Sequence, residues 1–263
     1  MAFAQALPRS LSPSRLQDFQ ACPRRYQYGA VERRERPASY AATKGRFVHA
    51  VFEKLLDAEA EQRSADLAYS LIPDAGRRVL DDKVRAELAL DADAEARLNS
   101  EVRAIVDTYL VMEDPRLVTH EGVELRLNAT IEQTPLFGIL DRLDRDANGD
   151  LVIVDYKTGS LPRRDYESSS FANTELYAAL CEEKLGERPR RIRLMYVAQG
   201  ESLERSVTEV VTRARVGAAA GAWRKIRGYF DAGQFPARPS PSGCRFCDFS
   251  NICPDAAVTV SAH

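Results

Sequence analysis

Gly138-Ile139-Leu140-Asp141-Arg142-Leu143-Asp144, followed by Val152-Ile153-Val154-Asp155-Tyr156-Lys157-Thr158-Gly159, reads as two neighbouring strands. Asp155 and Lys157 stand two apart, so their side chains leave the same face of an extended chain. A lysine beside a carboxylate on an apolar strand is costly to bury unless something else shares the site. Ala147-Asn148-Gly149 between the runs sets the register. A two-residue turn at Asn148-Gly149 places Asp141 opposite Tyr156, on the wrong face. A three-residue loop with Gly149 in its left-handed position pairs Asp146 with Asp150, and therefore Asp141 with Asp155. That loop is expected. Two carboxylates across adjacent strands with a lysine alongside suit a hard divalent cation. Alone, Asp155 and Lys157 also read as an exposed ion pair worth about 0–1 kcal/mol.

Outward from this hairpin, Glu121 to Ile131 alternates apolar and polar residues and reads as the preceding strand. Thr174 to Leu185 reads as a helix ended by Gly186, Arg191–Val197 and Leu203–Val211 as strands, and Ala214–Phe230 as a helix. Toward the N-terminus, Ser12-Pro13-Ser14 opens a short helix that Cys22-Pro23 ends, and a second runs from about Thr43 to Leu56. Residues 57–114 form an expected helical insertion, broken around Pro73 and ended by Asp114-Pro115. The tail, 235–254, is rich in Pro, Gly and Cys and too irregular to pack without an external tie. The expected fold class is mixed α/β, a central mixed sheet flanked by helices, in a single domain over 1–263.

Composition narrows the function. The chain has 263 residues, 44% of them hydrophobic and 29% charged, a globular balance that excludes disordered and fibrous classes. Lys+Arg 37 against Asp+Glu 39 excludes a uniformly basic nucleic-acid packaging protein but leaves room for a local basic groove. No apolar run approaches the roughly 18 residues of a membrane span, and Met1–Ser10 lacks a leader pattern, so a cytoplasmic protein is expected.

The hairpin resembles the PD-(D/E)xK nuclease superfamily, specifically its RecB-like branch, in which a Gly-x-x-Asp strand precedes Asp-Tyr-Lys-Thr-Gly. Gly138, Asp141 and Asp155–Gly159 match, as do Gly45, His49 and Glu53 on a Gly-x-x-x-His-x-x-x-Glu helix. Ser12-Pro13-Ser14-Arg15-Leu16 with Cys22-Pro23 and Tyr26 is similar as well. The resemblance implies a restriction-endonuclease-like core and a divalent ion, Mg²⁺ or Mn²⁺, held by Asp141, Asp155, His49 and the Tyr156 carbonyl. Lys157 would then orient the attacking water and stabilise transition-state charge. Glu124 and Glu53 are implied in positioning, Glu124 by holding a metal water or a second ion. The branch carries Gln-x-x-x-Tyr after the site; here Tyr177 is preceded by Asn173, a shorter amide.

Cys244-x2-Cys247-x5-Cys253 is too compact for three independent core thiols, and a four-ligand site needs one more. Cys181 reads as a buried thiol within a helix, whereas Cys22 sits at a helix end. One early cysteine and three late ones resemble the iron-staple nucleases of the AddB-type and CRISPR-associated RecB-like kinds. That implies a [4Fe–4S] cluster on Cys22, Cys244, Cys247 and Cys253, with Zn²⁺ the competing occupant.

Arg24, Arg25, Arg163 and Arg164 are candidate phosphate contacts, and Tyr26 or Phe246 candidate stacking residues. The expected activity is a metal-dependent deoxyribonuclease, exonucleolytic rather than endonucleolytic, acting on single-stranded DNA or DNA ends in repair or recombination. No helicase P-loop is present, so a motor or other repair or adaptation partner would be a separate chain. A CRISPR adaptation nuclease and a non-catalytic iron–sulfur nucleic-acid-binding subunit are the alternatives.

Overall fold

The computed structural model describes Phe3 and residues 6–257. Part of the Met1–Ser10 stretch considered for a leader lies outside these residues. In chain order the elements are α1 (Pro13–Ala21), α2 (Pro23–Tyr26), α3 (Tyr40–Asp57), α4 (Ala65–Val79), α5 (Asp82–Glu87), α6 (Ala92–Met112), β1 (His120–Ile131), β2 (Thr134–Arg145), β3 (Leu151–Lys157), α7 (Arg164–Ser170), α8 (Ala172–Leu185), β4 (Arg191–Tyr196), β5 (Glu201–Ser206), α9 (Glu209–Asp231) and α10 (Pro241–Arg245). The five strands form one sheet in the order β1-β2-β3-β4-β5. It is mixed, antiparallel at β2–β3 and β4–β5 and parallel at β3–β4.

The chain divides into two compact units. One comprises Ala38–Leu127 and Ile139–Glu209. Its core joins Phe47, Val51 and Phe52 of α3, Ile72 of α4, and Leu98, Val102 and Tyr109 of α6 to Val152, Val154 and Tyr156 of β3. The helical segment 57–114 is therefore a packed layer on the sheet rather than an appendage. β3 is apolar along Leu151–Val154, as a strand covered on both faces must be. Its other face meets α8, whose Leu176, Ala179, Leu180 and Cys181 are buried. Asp146 N–H donates to Asp150 O at 3.0 Å, Gly149 has φ +82°, and Arg142 stands opposite Val154. This is the three-residue loop expected from the sequence, and the antiparallel pairing runs from it as far as Arg142 and Val154.

Two local expectations need correction, and one helix was not read at all. Pro73 does not break α4. It lies on the exposed side of the helix, away from the core packing. The opposite side buries Ala68, Ile72, Ala75 and Gly76, and that packing carries the helix through. The fifth strand stops at Ser206, and α9 starts at Glu209, well before Ala214. Arg164–Ser170 is a helix with no buried residue, so it offers no apolar period to read.

The second unit comprises Met1–Pro37, Asn128–Gly138 and Val210–His263. Ser12 caps α1 by accepting from Arg15 N–H at 3.3 Å. Leu11 pairs with the hairpin strand through Leu11 N–H to Pro135 O at 2.8 Å. Tyr26 is fully buried against Phe19 and Phe235, with ring centroids 5.7 and 5.9 Å away, which removes it as a base-stacking residue. The tail places two aromatic side chains in the interior of this unit. Phe235 and Phe249 are buried, and Asp248 is bracketed by Arg25 at 3.4 Å and Arg36 at 2.8 Å.

Candidate active site

α3, β1 and β2 bring one group of metal-type donors together. One ligand atom from each of His49, Glu124 and Asp141 lies within 4.8 Å of the other two. His49 Nδ1 stands 3.4 Å from Asp141 Oδ1, and its Nε2 is 3.1 Å from the Tyr156 carbonyl oxygen. Asp141 Oδ2 accepts from the Tyr156 peptide N–H at 2.8 Å. Tyr156 thus grips both His49 and Asp141 through its backbone while its ring is buried in the core. Glu124 reaches the group from a kinked strand, with φ +48° at Glu124 itself. A side chain held in the left-handed region costs on the order of 1–2 kcal/mol, a strain that here aims a carboxylate.

Asp155 and Lys157 stand beside this group. Lys157 Nζ is 2.6 Å from Asp155 Oδ2, an oxygen that is buried and has no hydrogen bond of good geometry among the described residues. Glu124 therefore enters the compact donor set, while Asp155 turns an oxygen toward the lysine. Gly45, one helical turn before His49, has a packing role. A Cβ there would lie 3.1 Å from Thr158 Oγ1, so a side chain would crowd the turn that follows Lys157.

Charges in the site hold protons. Burial alone lowers the His49 pKa, but Asp141, backed by Asp155 and Glu124, outweighs it and lifts the group to about 9. Asp155 is pushed up to about 6 by burial and then by Asp141, against the pull of Lys157. Burial and Asp141 likewise raise Glu124. For Lys157 the Asp155 carboxylate overcomes burial and keeps the ammonium charged. An added cation would favour the ionised carboxylates and the neutral imidazole. The donor set, its spacing and the poorly satisfied Asp155 oxygen all fit a divalent ion.

Tyr177 is half-buried, and its pKa is raised by burial and by Asp155, Asp141 and Glu124, which places its hydroxyl in the field of the carboxylates. Asn173 lies one turn earlier on α8. Glu53 Oε2 accepts from Arg78 Nη1 at 2.6 Å.

The chain matches the PD-(D/E)XK nuclease superfamily over residues 10–254. It belongs to that superfamily. A solved structure from Eubacterium rectale, described as a putative exonuclease, shares the fold at TM-score 0.62 and 12% identity, covering 92% of this chain and 87% of that one. A second, of the protein SSO0001, aligns at TM-score 0.36 and 14% identity, covering 80% and 84%. No curated protein matches. As a PD-(D/E)XK nuclease the chain carries a restriction-endonuclease-like α/β core. Among its described residues no helix is long and apolar enough to cross a membrane.

In the other unit, Cys22, Cys244, Cys247 and Cys253 all line one cavity of about 320 Å³. Cys22 Sγ accepts from the Arg238 N–H at 3.3 Å, and burial raises the Cys247 thiol pKa, with Arg25 opposing. Cys181 is buried elsewhere, as its helical position suggested. Arg24 Nε donates to the Phe235 carbonyl at 2.8 Å, and Arg25 pairs with Asp18 at 2.9 Å and with Asp248, so both guanidinium groups brace the cysteine cavity. Arg163 and Arg164 open α7, with Arg163 5.5 Å from the Tyr166 ring centroid. Phe246 is exposed.

Sequence reasoning missed Arg142. Its side chain is fully buried, yet it binds Glu113 at 2.5 Å, Asp144 at 2.7 Å and the Tyr156 hydroxyl at 2.7 Å. The signal was present: in the alternation of β2, Arg142 falls on the face opposite Asp141, where an apolar residue belongs.

Proposed function

We propose that this nuclease is a divalent-metal-dependent deoxyribonuclease that hydrolyses phosphodiester bonds in single-stranded DNA or at DNA ends, in repair or recombination. The convergence of His49, Glu124 and Asp141 within 4.8 Å, with the Asp155–Lys157 pair alongside, carries the reading. His49, Asp141, Asp155 and the Tyr156 carbonyl would hold the ion, and Glu124 its water or a second ion. One imidazole among carboxylates suits Mn²⁺ better than Mg²⁺. When bound, the ion lowers the pKa of a water and offsets charge on the scissile phosphate. Lys157, kept cationic by Asp155, orients the attacking water and meets the negative charge that builds on the phosphoryl oxygens. Tyr177 and Asn173 line the approach, and Arg163 and Arg164 offer charge to the strand.

A [4Fe–4S] cluster on Cys22, Cys244, Cys247 and Cys253 is the reading favoured for the cysteine cavity. All four line one cavity of about 320 Å³, and one early cysteine with three late ones follows the iron-staple layout rather than a compact zinc ribbon. The cluster's role is structural, clipping α1 to the tail.

The deciding experiment compares wild type with Asp155→Ala on end-labelled single-stranded DNA with Mn²⁺ or Mg²⁺. Cleavage by wild type and its loss in the variant, with binding retained, is expected. Equal binding and no cleavage by either protein would establish a binding module instead.

A further inference from the structure

The cleft beside the metal donors has a basic wall that the chemistry above leaves unused. Its volume is about 580 Å³, and the charged side chains lining it are Arg46, Arg78, Glu53, Asp81, Glu124 and Asp141, with His49. The two arginines come from different helices of one packed pair, Arg46 from α3 and Arg78 from α4. Close packing of this pair is enforced at Gly76, where a Cβ would lie 3.0 Å from the Phe47 ring. Arg78 is held by Glu53 at 2.6 Å, yet 59% of its side chain remains exposed. Arg46 is exposed, and its Nη2 donates to a neutral hydroxyl, Thr43 Oγ1, at 3.3 Å.

A nucleic-acid strand entering this cleft brings one negative charge per nucleotide toward four carboxylates. A cation among the donors compensates one phosphate, and the neighbouring phosphates meet repulsion unless a second positive surface faces them. The planar guanidinium fork matches phosphate oxygens two at a time. We propose that Arg46 and Arg78 form a phosphate-binding subsite for the nucleotide next to the scissile bond, with Glu53 keeping Arg78 aimed into the cleft. The segment 57–114 thereby contributes to substrate binding as well as to the core. This inference rests on the proposed reading of the cleft and deepens it. Arg46 and Arg78 bind substrate directly, and Glu53 is a positioning residue.

The test uses the full-length protein and Arg46→Gln, Arg78→Gln and Glu53→Gln, with unchanged thermal midpoints as the folding control. Each arginine variant should raise KM about tenfold or more, the weight of a charge-assisted hydrogen bond, with kcat within about twofold. Arg46→Lys should recover part of the loss. Binding of a fluorescent 20-nucleotide oligothymidylate, followed by anisotropy with Ca²⁺, should show a salt slope smaller by about 0.7 for each arginine removed. Substrates ending in 5′-phosphate, 3′-phosphate or hydroxyl groups separate two sources: a KM effect confined to one phosphorylated end assigns the subsite to a terminal phosphate, and an equal effect on all assigns it to an internal one. An unchanged KM and salt slope, or a fall in kcat alone, overturns the subsite. Absence of cleavage by wild type refutes the nuclease reading instead, and the anisotropy slope still decides the subsite.

Discussion

The Arg142 guanidinium, with no solvent exposure, donates to the Tyr156 hydroxyl at 2.7 Å. That contact joins two layers of the molecule. On the core side Arg142 is gripped by Glu113 and Asp144. On the site side the same tyrosine holds Asp141 by its N–H and His49 by its carbonyl oxygen. A charge network under the sheet thus fixes the backbone that spaces the metal donors.

Removing the arginine strands two acids in a dry environment. Arg142→Ala should cost about 3–5 kcal/mol, read by urea denaturation, because Glu113 and Asp144 lose their counter-charge. Tyr156→Phe should cost less, about 1–3 kcal/mol, since it leaves a single donor unsatisfied. Equal stability of Arg142→Ala and wild type would show that the network contributes nothing.

Divalent-ion binding should strengthen as pH rises. The raised His49 pKa, about 9, keeps a proton on the metal-free site through neutrality, and below about 6 Asp155 holds a second. An ion must displace them, so apparent Mn²⁺ affinity should rise about tenfold per pH unit for each proton displaced and level off above pH about 9. Calorimetry in two buffers of different ionisation enthalpy counts the protons released. A flat profile would place the ion elsewhere.

Lys157→Met should separate chemistry from metal binding. Cleavage should fall about 100-fold or more as transition-state charge loses its partner, while Mn²⁺ still binds. Loss of Mn²⁺ binding in that variant would recast the lysine as a positioning residue for Asp155.

Cys244→Ser should abolish iron content and visible absorbance after anaerobic purification. Treated as a loop closure between Cys22 and Cys244, the clip is worth up to about 5 kcal/mol. Phe235 and Phe249 anchor the tail in the core, so the variant should stay folded with a lowered thermal midpoint. A colourless, zinc-loaded wild type would reject the cluster.

Gly45→Ala is the most local test. The added methyl meets Thr158 Oγ1 at 3.1 Å, so the turn after Lys157 must shift, and a loss of about 1–3 kcal/mol or a drop in kcat is expected. Gly159→Ala, where a Cβ meets nothing within 4 Å, is the control.

Much of the site was legible because it depends on short-range geometry. The loop between β2 and β3 was readable from three residues, and Gly149 has the positive φ that loop needs. Glu124 was read only as a helper, since its place in the donor group depends on a strand kink that no turn residue announces. Arg24, Arg25 and Tyr26 looked available on a basic, aromatic stretch, but their partners Phe235, Asp248 and Asp255 lie more than two hundred residues away in sequence. The helix through Pro73 was misread because a proline rule is local and the packing that overrides it is not.

Sequence by itself determined the alternation of β2 and β3, the loop between them and hence which side chains share a face, because backbone sterics over a few residues settle those matters. Only the tertiary structure decided which distant groups complete the site: Glu124 beside Asp141, Arg142 beneath Tyr156, and Arg46 with Arg78 along one wall. Such contacts join residues far apart in the chain, and their energies depend on burial that exists only once the core has closed.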